Sequence, residues 1–337
     1  MLADYITYGA ARATQADALE SAIARISADV LARQSEGVLE GPGPIFVGIG
    51  ASLAAAAAPV WALRQRGIHS WRLGAGDYPL PFPTSVHPVI GISQSGKSTE
   101  TLAVLESIDA PLRYAVVNSH PSPVSALAST TFSLGNIPDS YASTIGYTAT
   151  IVALGMIGDA WDGGAIDPGW VELPELFRWT ERTVSGRAAE IAATFQGVQT
   201  ADFVGAGSSV GSAEVGALLF REVARVHTAG MSTRQYLHGS MESAGDGVHV
   251  LFGEERELEV ARMLAGAGHR VILISTAEIA DETNVQAIRL PDVAPAQRAI
   301  LEALVMQILV EKVAELSGVE IEEFVFFHND TKVEGSA

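Results

Sequence analysis

The stretch VIGISQSGKSTETL, residues 89–102, brings three serine hydroxyls (Ser93, Ser95, Ser98), the Gln94 amide and Lys97 into one short segment. Gly91, Gly96, Lys97 and Ser98 also fit G-x-x-x-x-G-K-S, the spacing of nucleotide-triphosphate loops. Such a loop needs its first glycine at the end of a strand and a wide arch after it. Here Gly91 stands inside an apolar run, between Ile90 and Ile92. The strand is therefore expected to run to Ile92, leaving a turn over Ser93–Gly96 before a helix that starts near Ser98. A turn that short cannot encircle a triphosphate. No apolar strand ending in Asp offers a magnesium ligand either, since RYAVVNS ends in Asn118 and Ser119 and RVILIS in Ser275. A cap would need one hydroxyl. Three hydroxyls beside the free N–H groups and positive dipole of a helix start suit a single phosphomonoester.

The elements that would hold this turn recur along the chain. IFVGIGAS (45–52) returns as DFVGAGSS (202–209), each a short apolar strand ending in Gly-x-Gly-x-Ser before a helix of small residues. HPVIGISQSGKSTETLAVLES is echoed by VHVLFGEERELEVARMLAGAG, and RYAVVNS by RVILIS. Continuous apolar strands alternating with helices imply parallel sheets covered on both faces. The fold expected is α/β, with two doubly wound, flavodoxin-like domains in tandem. The Gly-, Pro- and Asp-rich segment 161–174 marks their boundary, so the domains are read as 1–165 and 166–320, with a tail over 321–337. Helices are expected over Thr14–Gln34, Glu175–Gln196 and Ala294–Leu316. The second copy of the serine turn reads FGEERE, where Glu254 and Glu255 would repel phosphate. One phosphate site is expected, not two.

With 39 acidic and 21 basic residues the 337-residue chain carries a formal charge of −18 and no basic run, which argues against nucleic acid as a partner. An anionic ligand must then be held by local N–H groups rather than by the overall field. There is no cysteine, hence no disulfide, thiolate metal site or cysteine nucleophile. The N-terminal residues lack a secretory pattern, and the longest apolar stretch, 51–63, is too short to cross a bilayer and contains Pro59. A cytoplasmic protein without membrane partner, metal or cofactor is expected.

The segment SQSGKSTET resembles the serine-rich signature of the sugar isomerase (SIS) domain. The tandem arrangement is similar to the isomerase half of glucosamine-6-phosphate synthase and to amino-sugar-phosphate deaminases. The resemblance implies that Ser93, Gln94, Ser95 and Ser98 bind a sugar phosphate and that Gly50, Ala51 and Ser52 line the same pocket. It implies further that Glu222, late on the helix of LFREVARVH, moves a proton between C1 and C2. His238, in the loop of TRQYLHGSMES, would help open the sugar ring. Lys332, in NDTKVE, would stand for the lysine of a tail that closes over the sugar and condenses with the open-chain ketose. Family members pair so that one subunit's histidine loop completes its neighbour's pocket, which implies a homodimer with shared active sites.

This chain departs from the pattern in three ways. Leu219 replaces a lysine, His238-Gly239-Ser240 replaces H-G-P, and no cysteine is present to run a glutamine-hydrolysing domain. Glutamine-dependent synthesis by this chain alone is not expected. Isomerisation, deamination and cleavage of a fructosamine 6-phosphate remain, all sharing the C1–C2 proton transfer. A non-catalytic sugar-phosphate-binding regulatory module is the alternative from another class, and a kinase would rest on the G-x-x-x-x-G-K-S spacing alone.

Overall fold

In the computed structural model, the residues described are 5–77, 79–322, 324–326 and 330–333. The chain divides into two compact units, 1–171 with 325–337, and 172–324.

In the first unit the central strands are buried along nearly their whole length because both faces of each are covered, so they carry mostly apolar residues at successive positions. These are β1 (Ile45–Gly48), β3 (Val89–Ser93) and β4 (Arg113–Val117). With β2 (Trp71–Gly74) and β5 (Thr130–Ser133) they form a parallel sheet of order β2-β1-β3-β4-β5. Helix α1 (Tyr8–Ser35) starts nearly two turns earlier than the sequence suggests, because the Thr7 hydroxyl caps it by accepting from the Ala10 N–H. The other helices are α2 (Ala51–Ala55), α3 (Ala57–Gln65), α4 (Thr99–Glu106), α5 (Pro123–Leu127) and α6 (Ile145–Ala160). Leu102 and Leu105 of α4 and Val124 of α5 close one face of the sheet over Val47, Val89, Ala115 and Val117.

The second unit repeats this strand order. Its strands β6 (Thr200–Gly205), β7 (His227–Ser232), β8 (Val248–Phe252), β9 (Arg270–Ser275) and β10 (Val285–Arg289) lie parallel in the order β10-β9-β8-β6-β7. Around them stand α7 (Leu173–Ser185), α8 (Ala188–Ala192), α9 (Val210–Val223), α10 (Thr233–Leu237), α11 (Arg256–Gly266) and α12 (Pro295–Ser317). Two doubly wound parallel sheets are thus present, as the alternation of apolar strands and helices requires. The helix expected over 175–196 is interrupted. Gly186 ends α7, Arg187 takes φ −116°, and α8 begins only at Ala188. Among the described residues, no helix is long and apolar enough to cross a membrane.

Candidate functional site

Strand β3 runs on through Ser93, and Gly91 sits within it, paired with Val47 and Ala115 on either side. Its small size serves packing rather than an arch: a Cβ there would lie 2.8 Å from Leu105 Cδ1 of α4. The connection from Gln94 to Ser98 is accordingly tight. Gly96 adopts φ +63° within it, and a Cβ at that position would collide with Ser122 Oγ. Ser98 occupies the N-cap position of α4 but makes no side-chain cap hydrogen bond. Its hydroxyl instead meets Ser93 Oγ at 2.8 Å. The first-turn N–H groups of α4 are therefore not closed by that serine.

This turn opens on a cavity of about 310 Å³. In an open parallel sheet, a ligand crevice forms beyond the carboxyl ends of strands whose connections run in opposite directions, here β1 and β3. Ser52 enters the cavity from the β1 side, and Gln94, Ser95 and Ser98 from the β3 side. Lys332 completes the polar set. It is brought there by backbone pairing of the tail. Ser98 and Lys332 form an antiparallel bridge, Val333 N–H donates to Lys97 C=O at 3.0 Å, and Thr99 N–H to Thr331 C=O at 3.2 Å. Val333 packs onto the core beneath α4 and α5.

Not every expected residue lies on the cavity wall. Ser93 is buried beneath it and holds Ser98, while Gly50, at φ +58°, and Ala51 start α2 behind Ser52. Sequence reasoning missed the opposite wall, built by Asn118, Ser119, Asn136, Asp139, Ser140, Tyr141 and Ser143. Asn118 fixes its position by accepting from Ile137 N–H at 2.9 Å and donating to Ile137 C=O at 2.8 Å. The signal was present in the polar clusters that follow the strands at 113–117 and 130–133, since such strand ends converge at the crevice. The residue Gly146 keeps this wall close to the serine turn. A Cβ there would fall on Gln94 Nε2 and within 2.7 Å of Asp139 Oδ2. Gly146→Ala is expected to push Gln94 aside and weaken binding of the phosphomonoester expected at this turn about five- to tenfold, roughly 1 kcal/mol. Calorimetric titration with fructose 6-phosphate checks it, and unchanged affinity in a folded variant would refute it.

In the second unit the matching turns have their donors engaged. Glu302 is wholly buried and accepts from Ser209 Oγ, Ser212 Oγ and Arg298 Nε, and Arg298 also pairs with Glu254. The hydroxyls of Ser209 and Ser212 are thus engaged by a carboxylate of the chain. Glu222 lies in the last turn of α9 and His238 caps the C-terminus of α10, its side chain exposed. Neither lines the cavity described above. Glu222 is an exposed residue by surface area, although many protein atoms lie near its carboxyl. The desolvation they impose pushes its carboxyl up from the usual carboxylate range to about 7. Leu219 is buried in α9 one turn earlier, so no lysine lies there to hold the Glu222 charge. Among the described residues, no cluster of His, Asp and Glu has metal-binding geometry.

No protein-family model matches the chain. A glutamine–fructose-6-phosphate aminotransferase (isomerizing) of Bradyrhizobium diazoefficiens is 27% identical over 260 residues, covering 69% of this chain. One from Thermococcus kodakarensis is 25% identical over 249 residues, covering 68%. The chain spans only 42% and 41% of the length of these two relatives. Among solved structures, the C-terminal domain of glucosamine-fructose-6-phosphate aminotransferase from Francisella tularensis superposes with a TM-score of 0.82, at 17% identity, over 94% of this chain and 98% of that one. Tagatose-6-phosphate ketose/aldose isomerase from Escherichia coli gives 0.75 at 17% identity, over 94% and 95%. Glucosamine-6-phosphate deaminase from Thermotoga maritima gives 0.65 at 14% identity, over 91% and 95%. The chain has the fold of the phosphosugar isomerases and resembles part of the aminotransferases in sequence.

Proposed function

We propose that the chain binds a 6-phosphorylated sugar or amino sugar in the cavity of the first unit and catalyses proton transfer between C1 and C2. The observation that carries this reading is the serine turn, where Ser95 and Ser98 line the cavity at the start of α4 and Ser98 makes no side-chain cap bond to that helix. The dianionic phosphate is drawn there by the α4 dipole, the hydroxyls and the Lys332 ammonium.

The reaction proposed begins with ring opening assisted by His238; the roles given to His238 and Glu222 rest on the resemblance, since neither lines the cavity. Glu222 as carboxylate then removes the C2 proton of the open-chain aldose, giving an enediol, and returns a proton at C1 to give the ketose. With a 2-amino sugar the same two transfers pass through an enolamine to a ketimine, which water hydrolyses to ketose and ammonia. A carboxyl pushed above the usual carboxylate range by desolvation suits this work, because it is a stronger base than an ordinary carboxylate. The similar proteins, an isomerizing aminotransferase, a ketose/aldose isomerase and a deaminase, support C1–C2 chemistry on a phosphosugar.

The test is a panel of hexose and hexosamine 6-phosphates, assayed in parallel for ketose and for ammonia. Ketose alone from a hexose phosphate identifies an isomerase, and ammonia from a hexosamine phosphate identifies a deaminase. Binding without either product across the panel would contradict the enzymatic reading.

A further inference from the structure

Three helix N-termini meet the cavity, that of the short α2, which brings Ser52, and those of α4 and α6, and the structure treats the last two in opposite ways. At α4 the N-cap side chain is turned away. At α6 the Asp139 carboxylate closes the end. Its Oδ1 accepts from the N–H groups of Thr144 and Ile145, both at 3.1 Å, and from Thr144 Oγ1 at 2.9 Å. Its Oδ2 accepts from Gly146 N–H at 2.9 Å and Ser143 Oγ at 2.6 Å. Five donors saturate both oxygens, and Asp139 is also part of the cavity wall. The α6 terminus, which would otherwise attract a second anion, already holds one belonging to the chain.

We infer that Asp139 is a specificity-determining residue that restricts the cavity to ligands bearing a single anionic group. This rests on the sugar-phosphate reading above and deepens it. A sugar with one phosphate places that group at α4 and presents only hydroxyls or an amine to the rest of the wall. A sugar with a second phosphate must bring it into a cavity where the Thr144, Ile145 and Gly146 N–H groups of the α6 terminus are already bonded to a fixed carboxylate, so like-charge repulsion and unpaired phosphate oxygens oppose it. The nearby Gln94 amide cannot replace the lost donors, since one amide group does not satisfy a dianion.

Calorimetry with fructose 6-phosphate and fructose 1,6-bisphosphate tests the inference on wild type, Asp139→Asn and Asp139→Glu, with circular dichroism to confirm folding. Wild type is expected to prefer the monophosphate by at least about 30-fold. Asp139→Asn should reduce that preference at least tenfold, while Asp139→Glu, which keeps the charge, should retain it. A purely structural cap would weaken both ligands together and leave the ratio unchanged. A folded Asp139→Asn with the wild-type ratio overturns the inference. Wild type binding both ligands equally also overturns it, and that comparison decides the matter if the Asn variant does not fold. If wild type binds neither ligand, the sugar-phosphate reading fails and this inference with it. Equal binding leaves that reading intact.

Discussion

Replacing Glu222 by Gln is expected to lower kcat by roughly 10²–10⁴ while leaving sugar-phosphate affinity nearly unchanged, the share of a positioned acid–base group. Glutamine keeps the shape and a carbonyl oxygen but cannot accept and return a proton. The pH profile adds an independent signature. The proposed base works deprotonated, and desolvation pushes its carboxyl up to about 7. Activity of wild type should therefore rise with pH through a limb near 7 and flatten above it. The residual activity of Glu222→Gln should lack that limb. His238→Asn should respond differently, losing most activity on the closed ring and retaining more on an open-chain analogue, because the step it assists has been bypassed. Stopped assays across pH 5–9 check these outcomes. Wild-type kcat in Glu222→Gln would return Glu222 to an ordinary helix-surface carboxylate.

The second large effect is expected at the serine turn. Ser95→Asp places a carboxylate on the cavity wall where the phosphate is proposed to bind. Repulsion and loss of a donor should weaken binding at least tenfold, about 1.4 kcal/mol or more. Ser95→Ala, which only removes the hydroxyl, should cost less, about 0.5–1.5 kcal/mol. Thermal stability should change little in either variant, because Ser95 is partly exposed and its hydroxyl accepts only from Lys97 N–H at 3.3 Å. Tight magnesium–ATP binding that depends on Lys97, with none for sugar phosphates, would reverse the assignment.

How far the sequence carried depends on the element. The central strands were legible because a strand covered on both faces is mostly apolar, and 89–92 and 250–252 are apolar runs. Placing Gly91 inside a strand decided the meaning of the phosphate-loop spacing, and the register with Val47 and Ala115 agrees with that placement. Helix ends were less legible. The break at Gly186 depends on backbone angles around Arg187 that propensity does not encode.

The far wall of the cavity was illegible for a different reason. Asn118, Asn136 and Asp139 belong to loops after β4 and β5, and only the strand order brings those loops beside the serine turn. Their types carry no catalytic pattern. Asp139 in particular resembles an ordinary capping residue until its place on the cavity wall is seen. Lys332 was read from its tail segment, but the backbone pairing with Ser98 that carries it to the cavity links residues more than two hundred positions apart, beyond any local pattern.

The most direct test of C1–C2 proton transfer is solvent exchange at the sugar carbon itself. Wild-type protein in deuterium oxide with the panel substrate it turns over should incorporate deuterium at the carbon that receives the proton, seen as loss of the corresponding proton resonance. Glu222→Gln, binding the same substrate with similar affinity, should show no incorporation over the same period. Incorporation at the wild-type rate in Glu222→Gln would contradict the assignment of Glu222, and product formation by wild type with no exchange in either protein would contradict transfer through a solvent-exchanging carboxyl.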